Sequence, residues 1–343
     1  MPEKTPRELG YRMPAEWHPH AATWLSWPRP DGISFPGRYQ EVLPTIGEMV
    51  RTIAPHEPVH INVRSEEVES TARRTVGKAP NVFYHRILSY EPWCRDHGPI
   101  FVTRGHQLAV VDWRYNAYGN KYPLHDDDDA VPQRVAELLR LPLFSPGIVM
   151  EGGSLDVNGA GTLLTTASCL LNPNRNPHLN QQQIEQYLRD YLGVSNVLWL
   201  GDGIAGDDTD GHIDDLARFV NPTTVVIVVE QDPQDDNYRP LQENLKRLHA
   251  MRDQDGRPLR VIELPMPGLI EYDGKRLPAS YANFYIANHV VLLPTYRNPS
   301  TDMAAIDTLQ NLFPDRRVVG IDSTNLIWGR GSFHCLTQQQ PAV

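Results

Sequence analysis

Thr224-Val225-Val226-Ile227-Val228-Val229 is a short apolar run, followed by helical periodicity over Leu241–Met251 and a second apolar run at Val261–Leu264. Side chains branched at Cβ crowd a helix and fit a pleated strand, so the two runs read as strands flanking a helix. The same alternation extends in both directions. Helical spacing recurs at Tyr39–Ile53, near Val68–Val76, and at Ala130–Leu139, Gln183–Leu192 and Met303–Phe313. Strand-like runs recur at His60–Val63, Leu108–Trp113, Gly161–Thr166, Val197–Leu200, Phe284–Ala287, Val290–Pro294 and Val318–Ile321. Helix starts near Glu67, Asp128, Asn180, Arg239 and Thr301 are spaced by about 60 residues, the mark of a repeated unit of strands plus one helix. Five such units in one closed ring account for both length and spacing. Two conventional α/β domains would alternate in a similar way.

Composition narrows the function. With 343 residues, 22% charged and 40% hydrophobic, the chain can bury a large core and has an ordinary globular make-up. No run approaches the length of a membrane span, and Met1–Glu8 carries no apolar signal segment. Cys94, Cys169 and Cys335 are too few and too scattered for a disulfide framework or a zinc site, which fits a reducing cytoplasm. A net charge of −10 argues against nucleic-acid binding and suits a cationic ligand.

Four segments could carry chemistry. Gly329-Arg330-Gly331-Ser332-Phe333-His334-Cys335 brings a thiol out of a glycine-rich loop, where it is either a nucleophile or a small core residue. Gly211-His212-Ile213-Asp214-Asp215 would, if extended, turn His212 and Asp214 to one side, a proton-transfer group beside an anion; otherwise it is a solvated acidic loop. Trp93-Cys94-Arg95-Asp96-His97-Gly98-Pro99 offers an aromatic face and a carboxylate, or a structural turn with an Arg95–Asp96 surface pair, and Cys94 reads as packing. Glu151-Gly152-Gly153-Ser154 sets a carboxylate before two glycines, against a ligand or as a cap. His125-Asp126-Asp127-Asp128-Asp129 resembles a metal cluster but precedes a helix, where capping is the favoured reading. By strand alternation His334 and Cys335 would face opposite sides, making His212 the partner of the thiol.

Read together, these segments resemble the agmatine deiminase family, also called bacterial-type peptidylarginine deiminases. Further matching pieces are Met13–Trp17, Ala22–Pro28, Asp112–Lys121, Gly161–Leu171, Asn283–Asn288 and His334–Pro341. The resemblance runs over nearly the whole chain in order. It implies a pentein fold, a five-bladed α/β propeller with pseudo-fivefold symmetry, as a single catalytic domain over residues 1–343. It implies Cys335 as nucleophile and His212 as proton carrier. Asp96 and Asp214 would hold the guanidinium, Glu151 would support both guanidinium and His212, and Trp93 and Asn283 would bind substrate. No metal or other cofactor is required by that chemistry. The expected partner is a small guanidinium substrate, with neither nucleic acid nor membrane; a homo-oligomer would be compatible.

Agmatine ends in an ammonium, whereas arginine and C-terminal peptidylarginine end in a carboxylate that calls for basic groups. Tyr115-Asn116-Ala117-Tyr118-Gly119-Asn120-Lys121-Tyr122 supplies aromatics and amides and no arginine after Arg114, which suits agmatine. Arg330 is the departure, a cation near the nucleophile that could recognise a carboxylate. The alternatives are a peptidylarginine or free-arginine deiminase, a manganese ureohydrolase, and a non-catalytic polyamine-binding protein.

Overall fold

The computed structural model describes residues 4–343. Five sheets share one plan, in which an antiparallel pair of strands is extended by a parallel strand. In four of them the chain runs hairpin, helix, parallel strand. These are 100–104/107–111/143–144, 156–157/162–166/196–200, 217–221/224–229/260–265 and 285–287/290–295/317–322. The helices over Val131–Leu139, Gln181–Leu192, Tyr238–Ala250 and Pro299–Leu312 make the crossovers. Parallel strands need such crossovers, and this sets the length of the repeat.

The fifth sheet joins the ends of the chain. Strand His20–Ser26 pairs antiparallel with Thr337–Pro341 and parallel with Val59–Asn62, which in turn pairs with Val82–His85. Trp24↔Gln338 lies within that seam, so the terminal strand is a central structural element. A small hairpin, Glu271–Tyr272 with Lys275–Arg276, stands apart from the five.

The sequence explains these elements locally. In Thr224–Val229 every residue is buried, as a strand flanked on both faces must be. Helix Tyr39–Ile53 turns Val42, Leu43, Ile46, Met49, Val50 and Ile53 inward at helical spacing. Helix Gln181–Leu192 starts at a reciprocal Asn180–Gln183 cap and stops at Gly193, whose φ of +68° is the left-handed conformation glycine tolerates.

The apolar runs read from the sequence fall on strands. The first strands of the hairpins, such as 100–104 and 156–157, are short and carry too little pattern to stand out. The His125–Asp129 reading needs correction. Asp126–Asp129 forms a short helical turn of its own, and no side chain there caps the helix that follows. Asp128 instead accepts from the Tyr90 backbone N–H at 2.6 Å, Asp129 from that of Tyr115 at 2.6 Å, and Asp127 pairs with Arg134 at 3.1 Å. The acidic run fastens neighbouring loops. Among the described residues, no helix is long and apolar enough to cross a membrane.

Candidate active site

A short turn precedes the first strand of each sheet, and these five turns bring the chemistry together. Cys94–His97 leads into 100–104, Gly152–Ser154 into 156–157, Ile213–Asp215 into 217–221, the Asn283 segment into 285–287, and Phe333–Leu336 into 337–341. One position in the repeat therefore delivers Asp96, Glu151, His212 with Asp214, Asn283 and Cys335 to a common centre.

Cys335 sits in a helical turn, so the strand alternation expected of His334 and Cys335 does not apply. Asn283 holds this turn. Its Oδ1 accepts the backbone N–H groups of His334 at 3.1 Å and Cys335 at 3.4 Å, while its Nδ2 lies 3.0 Å from Cys335 Sγ. Sγ is also 3.6 Å from Asp214 Oδ2. Burial pushes the thiol pKa well up, and Asp214, Asp215 and Asp96 add to the rise. In the free protein Cys335 is thus held as a thiol.

Asp96 accepts from the Tyr118 hydroxyl at 2.8 Å and from the Gly153 backbone N–H at 2.9 Å. Burial raises its pKa to about 7; His212 opposes the rise and Asp214 reinforces it. Tyr118 reaches Asp96 from a backbone with φ of +59°, a left-handed conformation that is unusual for a tyrosine and is held by its surroundings. Gly153 is required by close approach. A Cβ there would lie 2.6 Å from both Asp96 Oδ1 and His212 Nδ1.

His212 lies behind these groups, fully buried, with Nδ1 3.6 Å from Asp96 Oδ1. Burial opposes its charge, yet Asp96, Cys169 and Glu151 outweigh burial and raise its pKa well above the ordinary value. Neither ring nitrogen of His212 has a hydrogen-bond partner among the described residues, and nor does Asp214 Oδ1. Buried polar atoms are seldom left so, and here His212 and Asp214 both meet at Gly153, beside Asp96. Glu151 receives Arg175 Nε at 2.6 Å, and Arg175 also pairs with Asp210 at 2.5 Å, tying the Glu151 turn to the His212 loop. Glu151, Cys169 and His212 bring metal-binding atom types within 4.8 Å of one another, but a cation there would sit beside the Arg175 guanidinium.

The cleft above the thiol encloses about 630 Å³ with its open mouth. Asp96 and Cys335 are at its floor, and Trp93, Tyr115, Tyr118, Tyr122 and Trp328 wall it. Gly331 must be small because a Cβ would come within 2.6 Å of the Trp93 ring. Arg330 is the one cationic side chain lining the cleft among the described residues, and it pairs with Asp208 at 3.3 Å.

Several sequence readings change. The 211–215 segment is not extended, since Ile213–Asp215 is a 3-10 turn, though His212 and Asp214 still point to the same centre. It is buried, not a solvated loop. Arg95 and Asp96 form no surface pair; both are buried, and Arg95 pairs with Glu16 at 3.2 Å. Cys94 is a packing residue, its pKa pushed by burial up to about 12. Sequence reasoning set His334 aside and gave no role to Glu16, Arg175, Asp215 and Arg218.

A family model for Porphyromonas-type peptidyl-arginine deiminases matches residues 12–341, and the chain belongs to that family. An agmatine deiminase of Pseudomonas aeruginosa is 38% identical over 367 aligned positions, covering 99% of this chain and 98% of the relative. The solved agmatine deiminase of Enterococcus faecalis superposes with a TM-score of 0.92 at 34% identity, covering 100% of this chain and 99% of that one. A dimethylarginine dimethylaminohydrolase structure, at 12% identity and a TM-score of 0.52, shares the α/β fold alone.

Proposed function

We propose that this chain is an agmatine deiminase, hydrolysing agmatine and water to N-carbamoylputrescine and ammonia. The observation that carries the reading is the meeting of Asp96, Asp214 and His212 at Gly153, with Asp214 3.6 Å from the Cys335 sulfur and Asp96 and Cys335 lining one aromatic cleft. The two carboxylates pair with the guanidinium N–H groups, fix its plane and aim its carbon at sulfur. The incoming cation stabilises the thiolate, so a thiol held protonated in the free protein gives its proton to water and becomes a nucleophile when substrate is present.

A new bond then joins Sγ to the guanidinium carbon. His212, a cation in this setting, gives its proton to the departing nitrogen; ammonia leaves, and an amidino-thioether remains on Cys335. His212, now neutral, takes a proton from water as that water adds to the same carbon. Collapse releases the ureido product and the thiol. Glu151 lies beside His212 and supports its charge.

The cleft favours a tail without a carboxylate. Its charge is already matched at Arg330 by Asp208, and its aromatic walls suit a methylene chain ending in a cation. The reading also takes residues 1–343 as one catalytic domain and the five sheets as blades of a propeller with pseudo-fivefold symmetry. The common plan of the sheets and the seam of 20–26 with 337–341 support this arrangement. Three free cysteines suit a reducing cytoplasm.

The test is a side-by-side assay of ammonia release from agmatine, free arginine and a peptide ending in arginine. Agmatine should have the highest kcat/KM, with N-carbamoylputrescine as co-product. Preference for the peptide would move the activity to peptidylarginine. Urea with putrescine would mark a ureohydrolase, and no product a binding protein.

A further inference from the structure

His334, next to the nucleophile, is 1% exposed and lies between two buried carboxylates. Its Nδ1 is 2.7 Å from Asp214 Oδ2, and its Nε2 is 2.8 Å from Glu16 Oε2. A neutral imidazole has one N–H donor and one bare lone pair. With both carboxylates ionised, a neutral ring would aim that lone pair at a carboxylate oxygen within hydrogen-bonding distance. Both distances instead fall in the range of charge-assisted N–H donation to a carboxylate.

The proton has a preferred place within this trio. Glu16 already accepts the Ile286 backbone N–H at 2.8 Å and Arg95 at 3.2 Å, and it forms an ion pair with Arg218 at 2.9 Å. So many donors on two oxygens keep Glu16 ionised, and its pKa lies well below the ordinary value although burial opposes this. Asp214 is also held low against burial, chiefly by its bond to His334. The remaining seat is the imidazole. Burial, Arg218 and Arg95 disfavour a third cation there and draw the His334 pKa below the ordinary value, against the pull of Glu16 and Asp214; the two short contacts are what place the proton on the ring.

We propose that His334 is held as an imidazolium, donating one N–H to Asp214 and the other to Glu16, and that this buried cation is the positioning element of the site. It fixes Asp214 Oδ2 and leaves Oδ1 free to meet the guanidinium. It also lets Asp214 stay ionised near Asp96, Asp215 and the Cys335 sulfur before substrate arrives. The contacts tie the substrate carboxylate to Glu16, 198 residues earlier in the chain and bonded to two further sheets through Arg218 and Ile286.

The proposed role rests on the deiminase reading, but its first test does not. Neutron diffraction from crystals of the full chain grown in heavy water at pH 7 locates the ring deuterons directly. Deuterons on both Nδ1 and Nε2 of His334 are expected; a single ring deuteron overturns the imidazolium. The second test is the pH profile of agmatine turnover by His334→Asn. Asp96 sets the acid limb near 7, so loss of the cation, which raises the Asp214 pKa by about one to three units, should steepen the fall of kcat/KM below that limb from slope one towards slope two, with KM affected more than kcat. The groups facing Asp214 and His334 in that profile are Glu16, Arg95, Arg218, Asp96, Asp215, His212 and Cys335. A fall that keeps slope one while activity drops evenly at every pH would make His334 a packing residue and overturn the positioning role. Should His334→Asn fail to fold, Glu16→Gln is read in the same crystals: one ring deuteron and a direct Asp214 contact support the arrangement, and an unchanged doubly deuterated ring overturns the part given to Glu16.

Discussion

Replacing Gly153 with alanine adds one methyl group at the point where three side chains of the proposed site meet. The new Cβ would lie 2.6 Å from Asp96 Oδ1, 2.6 Å from His212 Nδ1 and 3.1 Å from Asp214 Oδ2. Ordinary contact begins near 3.4 Å, so Asp96 and His212 must each give way by roughly 0.8 Å or the turn must move by as much. Neither has room: Asp96 is tied to Tyr118 at 2.8 Å, and His212 is fully buried. A misplacement of this size in a reacting centre costs about a hundredfold in rate, or ~2.7 kcal/mol of transition-state stabilisation. Overpacking should also lower folding stability by about 1–3 kcal/mol. Steady-state ammonia release measured beside circular dichroism separates the two effects. A folded Gly153→Ala protein should lose about a hundredfold in kcat/KM. One that keeps wild-type kcat/KM would refute the reasoning, because the centre would then not depend on this close approach.

Asp96→Asn and Asp214→Asn should each lower kcat/KM for agmatine by at least about a hundredfold, since each keeps shape but replaces an acceptor of the guanidinium with a donor. Asp127→Asn, which touches Arg134 and Arg64 outside the cleft, should leave kcat/KM nearly unchanged; the reverse pattern would put the site on the wrong loop. Asp96 titrates near neutrality and binds guanidinium only when ionised, so kcat/KM should fall as pH drops through about 7. A profile flat down to pH 5 would contradict that. Incubation with EDTA followed by desalting should leave agmatine turnover unchanged, because thiol and imidazole perform every step; loss restored by manganese would favour the ureohydrolase alternative.

Local pattern and tertiary distance account for what could be read beforehand. Residues such as Val225–Val228 announce a strand because both faces are buried. Asp156–Val157 has two residues and no period to read, although it opens a sheet on the same plan. Cys335, His212, Asp96, Asp214 and Glu151 stood out because reactive groups lie among glycines, and the structure gathers them through four of the five equivalent turns. His334 was hidden by the wrong local geometry. Strand alternation turns it away from the thiol's neighbours, whereas a helical turn lets it reach Asp214 at 2.7 Å. Glu16 was hidden by distance, as nothing near it in sequence predicts Arg95, Arg218 and His334 as partners. Gly153 stood within a motif, but only coordinates reveal what its missing Cβ would strike.

The central claim is that Cys335 forms the covalent intermediate. Enzyme quenched in acid during agmatine turnover, digested and read by mass spectrometry, should carry the added amidino group on the peptide containing Cys335. The same mass on the Cys94 or Cys169 peptide, with Cys335 unmodified, would contradict the account.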